Sequence, residues 1–350
     1  MGKAYVYVGT NSIRGSQGIY TLSLDTGSGK MDVLGTTEAQ DSAYLCVNRD
    51  GSRLYAVMES LEYEGKKGGG AASYAIEDGR LKQTGKCYAG GGWPCHISLD
   101  PKEKEVYVSV FRNGSWLIFQ TDGDGRLAEA KESFSYQDPN GRPSHIHAVV
   151  SDPAGKYLAV ADCGLDAVYL YNAVSHEQVW KEGFPEDTGP RQLSFSEDGK
   201  YLYLVTETSC ELYVMRYTPE EKEKLHVLQT ISTQRRDGYE GKNYAGGLHF
   251  HPSGKYLLAT NRGHNSFAVF GVDKESGMVK LLGHKMLAGD HCREFSFTLD
   301  GKILVAGLQH TDIVQSFFFD EETGKITDTG YQLNIPSPSA VVVFEKETEE

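Results

Sequence analysis

Leu248-His-Phe-His-Pro-Ser-Gly-Lys-Tyr-Leu-Leu-Ala259 reads as a β run, a turn of the Asp/Pro-x-Gly kind and a second β run, and the same phrase returns along the chain. It recurs as Leu45-Cys-Val-Asn-Arg-Asp-Gly-Ser-Arg-Leu-Tyr-Ala-Val57, Ile97-Ser-Leu-Asp-Pro-Lys-Glu-Lys-Glu-Val-Tyr-Val108 and Val149-Val-Ser-Asp-Pro-Ala-Gly-Lys-Tyr-Leu-Ala-Val160. Two further copies are Leu193-Ser-Phe-Ser-Glu-Asp-Gly-Lys-Tyr-Leu-Tyr-Leu204 and Phe295-Ser-Phe-Thr-Leu-Asp-Gly-Lys-Ile-Leu-Val-Ala306. Apolar runs on both sides of a tight turn make an antiparallel hairpin. A third strand follows, as in Ala167–Tyr171, Glu211–Met215 and Phe267–Phe270, and often a fourth segment such as Gly125-Arg-Leu127. Four antiparallel strands per unit is a propeller blade. The turn glycines Gly51, Gly155, Gly199, Gly254 and Gly301 keep the roughly 40–55-residue pitch of such blades.

Six units are complete, and the ends of the chain supply a seventh. Pro338–Phe344 resembles the first strand of the phrase, while Ala4–Thr10 and Gly18–Asp25 resemble its second and third. A blade built from both ends closes the ring and removes open sheet edges. The expectation is an all-β, seven-bladed propeller forming one domain over residues 1–350, with a disordered tail at 345–350. Pro219–Lys224 reads as a solvated loop, and helical periodicity is nearly absent.

The composition narrows the ligand. A net charge of −13 argues against nucleic acid, whose phosphates need a Lys/Arg surface, so an anionic ligand must be met by cations gathered locally. Met1–Thr10 reads as a strand rather than a basic-then-apolar leader, and no apolar run is long enough to cross a bilayer, so no membrane partner and a cytoplasmic location are expected. The six cysteines lack Cys-x-x-Cys spacing and read as buried thiols.

Residues equally far before and after a hairpin turn lie at the same end of the strand pair, which makes each turn glycine a ruler. Eight positions before it stand Ala43, His147, Arg191, Gly246 and Arg293; eight after it stand Glu59, Cys163, Glu207, Arg262 and Gln309. The second blade lacks the glycine, leaving Cys95 and His96 near the first column and Phe111 near the second. These positions should ring one mouth of the central channel. Charged residues beside apolar strands are paired or functional, and ion pairs that merely orient blades are the structural alternative.

The chain resembles the lactonase family of seven-bladed propellers, which includes a bacterial type of 6-phosphogluconolactonase and, more distantly, the fungal carboxy-muconate cyclase. The resemblance covers nearly the whole chain and rests on Tyr5-Val-Tyr-Val-Gly-Thr10, Pro94-Cys-His96, His145-Ile-His147, Asp162–Asp166, Gly189-Pro-Arg-Gln192, Thr206-Glu207 and Thr260-Asn-Arg-Gly-His264. It departs at Gln192, where the family commonly has His, and at Cys292-Arg293, where it commonly has Pro-Arg. In the cyclase the proposed site is one His, two Arg and one Glu; the matching positions are His147, Arg191, Glu207 and Arg262.

Lactone hydrolysis needs an activated water and a stabilised oxyanion. A neutral His suits the first task, and guanidinium groups suit the second while also clamping a phosphate or carboxylate. The expected assignment is His147 as general base, Glu207 as its orienter or as proton donor, and Arg191 and Arg262 as anion clamps. Arg293, His96, His145, Glu59 and Gln309 are further candidates for contact with a small anionic lactone, most readily 6-phosphogluconolactone. No Gly-x-Ser-x-Gly elbow is present. His145-x-His147 and His249-x-His251 could each offer two metal ligands, yet neither has an evident acidic or Cys partner, so no metal or cofactor is expected. A muconate-type cyclisation and a non-catalytic propeller that binds a metabolite or protein are the alternative readings. A ring at once cationic and acidic favours chemistry on a small anion over such a scaffold.

Overall fold

The computed structural model describes residues 3–234 and 239–345, and contains strands, turns and irregular chain with no helix among them. Seven four-stranded antiparallel sheets form the blades. Blades one to six follow chain order, with innermost strands Ser42–Val47, Pro94–Leu99, Ile146–Ser151, Pro190–Phe195, Tyr244–Phe250 and Cys292–Phe297. In the seventh, Pro338–Phe344 is innermost and Lys3–Thr10, Ile19–Asp25 and Met31–Thr37 lie successively outward. Each innermost strand packs against those of both neighbouring blades, so together they ring a channel.

The middle strands carry apolar residues on both faces because each blade is sandwiched between two others. Tyr201–Thr206 is buried throughout, whereas the outermost strand Met31–Thr37 is mostly exposed. Between blades four and five, Val205, Leu212 and Val214 meet Leu248, Ala259 and Phe270. The closing blade joins the sixth through Val6, Val8, Leu22 and Val341 against Val305 and Val314. Each such Val, Leu or Phe side chain contributes about 1.5–3 kcal/mol when fully buried. Tyr7 pairs with Val342 on one side and Thr21 on the other, stitching the two ends of the chain together.

The turn glycines are left-handed, with φ between 65° and 71° at Gly51, Gly155, Gly199, Gly254 and Gly301. In the second blade Glu103 takes that conformation, at φ 57°, and its carboxylate accepts the Arg49 backbone N–H at 2.6 Å. The turn register therefore holds in this blade too. Counted from Glu103, the first-column residue is Cys95, and His96 lies one residue deeper in the channel.

Two other expectations change. The first blade carries an extra small hairpin, Glu62–Tyr63 with Lys66–Lys67, between its second and third strands. Glu345, expected at the start of a disordered tail, accepts the Leu299 N–H at 2.8 Å; residues 346–350 lie outside the described residues. All six cysteines are free.

Candidate active site at the channel mouth

Every innermost strand begins with a β-bulge. Pairing with the second strand slips between Ser42 and Tyr44, Pro94 and His96, Ile146 and Ala148, Pro190 and Gln192, Ala245 and Leu248, and Cys292 and Phe295. In the closing blade the slip leaves out Ser339. The residues left unpaired are Ala43, Cys95, His147, Arg191, Gly246 with Gly247, and Arg293 with Glu294. A bulge bends the strand and re-aims its side chain, so the first column of the ruler is the bulge column. Opposite it, the backbone N–H groups of Glu59, Phe111, Cys163, Glu207 and Gln309 bond to the carbonyls of Asp41, Trp93, His145, Gly189 and His291. The mouth is thus built the same way in five blades.

His147, Arg191, Glu207 and Arg262 are brought together there. Arg191 Nε donates to Glu207 Oε2 at 3.0 Å, and Arg262 NH2 reaches the same oxygen at 2.9 Å. His147 Nε2 lies 4.0 Å from that oxygen. The two arginines are not equivalent. Arg191 is almost wholly buried and also donates from NH1 to the Gly246 carbonyl at 2.8 Å and toward Gln192 Oε1 at 3.4 Å. Arg262 gives NH2 to the Ala245 carbonyl at 2.8 Å but keeps its buried Nε without a partner. Gly246 is needed for this approach, because a Cβ there would lie 2.3 Å from Thr260 Oγ1 and 3.3 Å from Arg262 Cδ.

Burial and neighbouring charge set the protonation states. Burial first, and then Arg191, Arg293, Arg262 and His96, hold His147 well below the ordinary imidazole value of 6.5. It is a neutral imidazole, and since its Nδ1 is buried without a partner, no protein group dictates the tautomer. Burial works to raise the Glu207 carboxyl, but Arg262 and Arg191 outweigh it and keep it low. Glu207 is therefore ionised near neutral pH. Arg262 is brought down to about 10 by burial and by Arg191, and remains a cation.

The second-tier candidates divide. Arg293 NH1 pairs with Glu59 Oε2 at 2.8 Å, linking the sixth blade to the first across the mouth. His145 is stacked on Phe111 with ring centres 4.6 Å apart, and its Nδ1 lies 3.0 Å from the Phe111 carbonyl. Gln309 is turned aside, its amide donating to Asn11 Oδ1 at 2.6 Å. His96 lies deeper, its ring 4.6 Å from that of Tyr44, which in turn accepts the Gln192 amide at 3.1 Å. Below the ring a cavity of about 340 Å³ is lined by Tyr44, His96, His249 and Glu294 among others.

The histidine pairs do not form a metal cage. His249, expected to lack an acidic partner, has Glu294 Oε2 at 2.6 Å from its Nε2, because Glu294 shares the bulge of Arg293. His251 instead lies with Nδ1 at 2.8 Å from Ser253 Oγ and Nε2 at 3.1 Å from the Gly301 carbonyl. Among the described residues no group of three or more His, Cys, Asp or Glu side chains is placed to hold a metal ion. The ruler missed Glu294 and His291, which lie one position after and two before Arg293; reading ten rather than eight residues back from Gly301 would have reached His291.

Comparison with known proteins agrees with this architecture. The family described as Lactonase, 7-bladed beta-propeller matches residues 5–343. A 6-phosphogluconolactonase of Bacillus subtilis strain 168 is 28% identical, aligned over 97% of this chain and 98% of its own. One from Formosa agariphila is also 28% identical, over 93% and 95% of the two chains. The solved periplasmic gluconolactonase of Pseudomonas aeruginosa superposes with a TM-score of 0.91 at 28% identity, covering 98% of this chain and 99% of that one.

Proposed function

The chain belongs to the lactonase family of seven-bladed β-propellers, and from that premise we propose that it opens a sugar-acid lactone at the channel mouth, 6-phosphogluconolactone to 6-phosphogluconate. The observation that carries the reading is the 4.0 Å gap between the neutral His147 Nε2 and the ionised Glu207 Oε2. A water within hydrogen-bond distance of both atoms fits that gap. Glu207 orients the water, and His147 takes one of its protons as the oxygen attacks the lactone carbonyl. The Arg262 Nε–H, buried without an acceptor, is a donor that the developing oxyanion would satisfy.

Collapse of the tetrahedral intermediate breaks the ring C–O bond, and the proton on His147 passes to the leaving alkoxide. The carboxylic acid so formed ionises and releases one proton. Glu207 is a poor proton donor in this scheme because two guanidinium groups hold it as the anion. Arg191, with its Nε and NH1 already engaged, acts by holding Glu207 in place.

The test is ring opening of 6-phosphogluconolactone, gluconolactone and a muconolactone by the purified protein, measured above the spontaneous rate. Turnover of a sugar lactone is expected. A protein inert toward both sugar lactones would end this reading, and turnover of the muconolactone alone would move the chemistry to the cyclase branch.

A further inference from the structure

We propose that Phe111 is the positioning residue of the base: in contact with both histidines of the third blade and steadied by His145, its ring holds the His147 imidazole with Nε2 toward the water beside Glu207. The inference rests on the lactonase reading above and deepens it by naming what fixes the base.

A general base is ordinarily oriented by a third group that hydrogen-bonds its other nitrogen. Among the described residues His147 has none. Its Nδ1 is buried without a partner, and its Nε2 lies 4.0 Å from Glu207 Oε2. A ring without hydrogen bonds keeps one orientation only if packing locks it. Phe111 supplies such packing, with ring centres 5.9 Å apart and planes at 81°, the edge-on arrangement that aromatic rings prefer.

Phe111 is itself held from several sides. It follows strand Glu105–Val110 of the second blade, its N–H donates to the Trp93 carbonyl at 3.0 Å, and its carbonyl accepts the Gly114 N–H at 3.2 Å. The His145 ring lies parallel to the phenyl ring within 9°, with centres 4.6 Å apart. His145 Nδ1 sits 3.0 Å from the Phe111 carbonyl, and since a carbonyl oxygen only accepts, that nitrogen carries the proton. One imidazole thus grips both the ring and the backbone of Phe111. The His145 backbone is fixed in turn, its N–H donating to Asp162 Oδ1 at 2.9 Å and its carbonyl accepting the Cys163 N–H at 2.9 Å. A Cβ on Gly164 would lie 3.0 Å from His145 Cδ2, so the turn after Asp162 closes on the imidazole.

The strand explains why two histidines can share one phenyl ring. Residues 145 and 147 of a regular strand would face the same side. Here the pairing passes from Ile146 with Asp162 to Ala148 with Ala161, leaving His147 out. The bulge re-aims that imidazole, and Phe111 then lies parallel to one histidine and nearly perpendicular to the other. The contact also keeps water from His147, whose depressed pKa has burial as its first cause.

Steady-state kinetics on a sugar lactone and NMR titration of the His147 imidazole test the assignment together. Phe111→Leu should lower kcat by roughly 10–10²-fold with KM little changed, the loss expected when a catalytic group is displaced by about 1 Å. Water then reaches His147, and its titration should move up toward 6.5 while Arg191, Arg262, Arg293, Glu207 and His96 around it are unaltered. Phe111→Tyr, which keeps the ring, should restore both. His145→Phe should retain more kcat than His145→Ala, because only the first leaves a ring stacked on Phe111. Melting temperatures show which variants are folded, and if Phe111→Leu is not, the His145 pair carries the test. Wild-type kcat in Phe111→Leu overturns the assignment, as does a rise in KM alone, which would make the ring a substrate contact. A lowered kcat with an unmoved His147 titration also overturns it, because the effect would not run through the base. Equal kcat in His145→Phe and His145→Ala removes the support assigned to His145. Should the wild-type protein open no lactone, the lactonase reading fails, and the His147 titration in Phe111→Leu still decides whether Phe111 packs the imidazole.

Discussion

Glu207 Oε2 lies 4.0 Å from His147 Nε2, too far for a hydrogen bond and close enough for both to hold one water. The base therefore acts on water without itself binding the substrate. His147→Ala should lower kcat by roughly 10²–10⁴-fold with KM little changed, since base catalysis operates in the transition state. Steady-state kinetics decide it, and a variant altered only in KM would place the base elsewhere.

The two arginines on that carboxylate should respond differently. Arg191 is engaged on three sides and should matter to stability, while Arg262, with its unspent Nε–H, should matter to turnover. Removing Glu207 leaves both guanidiniums uncompensated, and breaking a buried pair in this way costs about 3–5 kcal/mol. Urea unfolding of Glu207→Ala and Arg191→Ala should show lowered midpoints, with Arg262→Ala showing the larger loss of kcat relative to its loss of stability.

The pH profile should lack the usual imidazole limb. Because the folded His147 is held well below 6.5, it remains a competent base as pH falls through that value, and Glu207 remains ionised beside it. The acid limb of kcat/KM for an unphosphorylated lactone should lie below pH 6.5. Arg293→Gln removes one of the charges that depress His147 and should move the limb upward. Stability has the same sign: below 6.5 the unfolded chain takes up a proton that the folded His147 resists, and the Glu207 contribution is lost as pH falls through its depressed value. The protein should thus lose stability in acid, as thermal melts across pH would record.

Gly246→Ala should cost activity without replacing any charged group. The added methyl would meet Thr260 Oγ1 at 2.3 Å and Arg262 Cδ at 3.3 Å, forcing the bulge or the guanidinium to move. Displacement of a catalytic group by about 1 Å can cost 10²-fold in rate. Retained kcat in this variant would show that Arg262 does not need its present position.

Deleting residues 336–350 should open the ring. Pro338–Phe344 is the innermost strand of the closing blade and packs Val341 into the interface with blade six. Its loss exposes strand Lys3–Thr10 as an unpaired edge. A truncated chain that melts as cooperatively as the full one would contradict this.

The repeat, the blade count and the closure by both termini were legible in the sequence because they depend on local chemistry. Apolar alternation makes strands, and a left-handed turn residue makes the hairpins that space them. The ruler worked for the same reason, placing His147, Arg191, Glu207 and Arg262 at one mouth from turn distances alone. It left Cys95 and His96 undivided near the first column because Glu103 occupies the left-handed position without being glycine, a conformation imposed by the surrounding hairpin and not by its own preference.

What the sequence determined by itself was thus the ring and the positions at its mouth. Only the tertiary structure decided how those positions differ: that Arg191 is spent while Arg262 retains a free N–H, that Arg293 is tied to Glu59 across 234 residues of chain, and that Glu294 meets His249. Such pairings join different blades, so no spacing along the chain encodes them. The bulges that aim these side chains inward insert residues against the alternation of the strand, and they become visible only when both strands of the pair are in place.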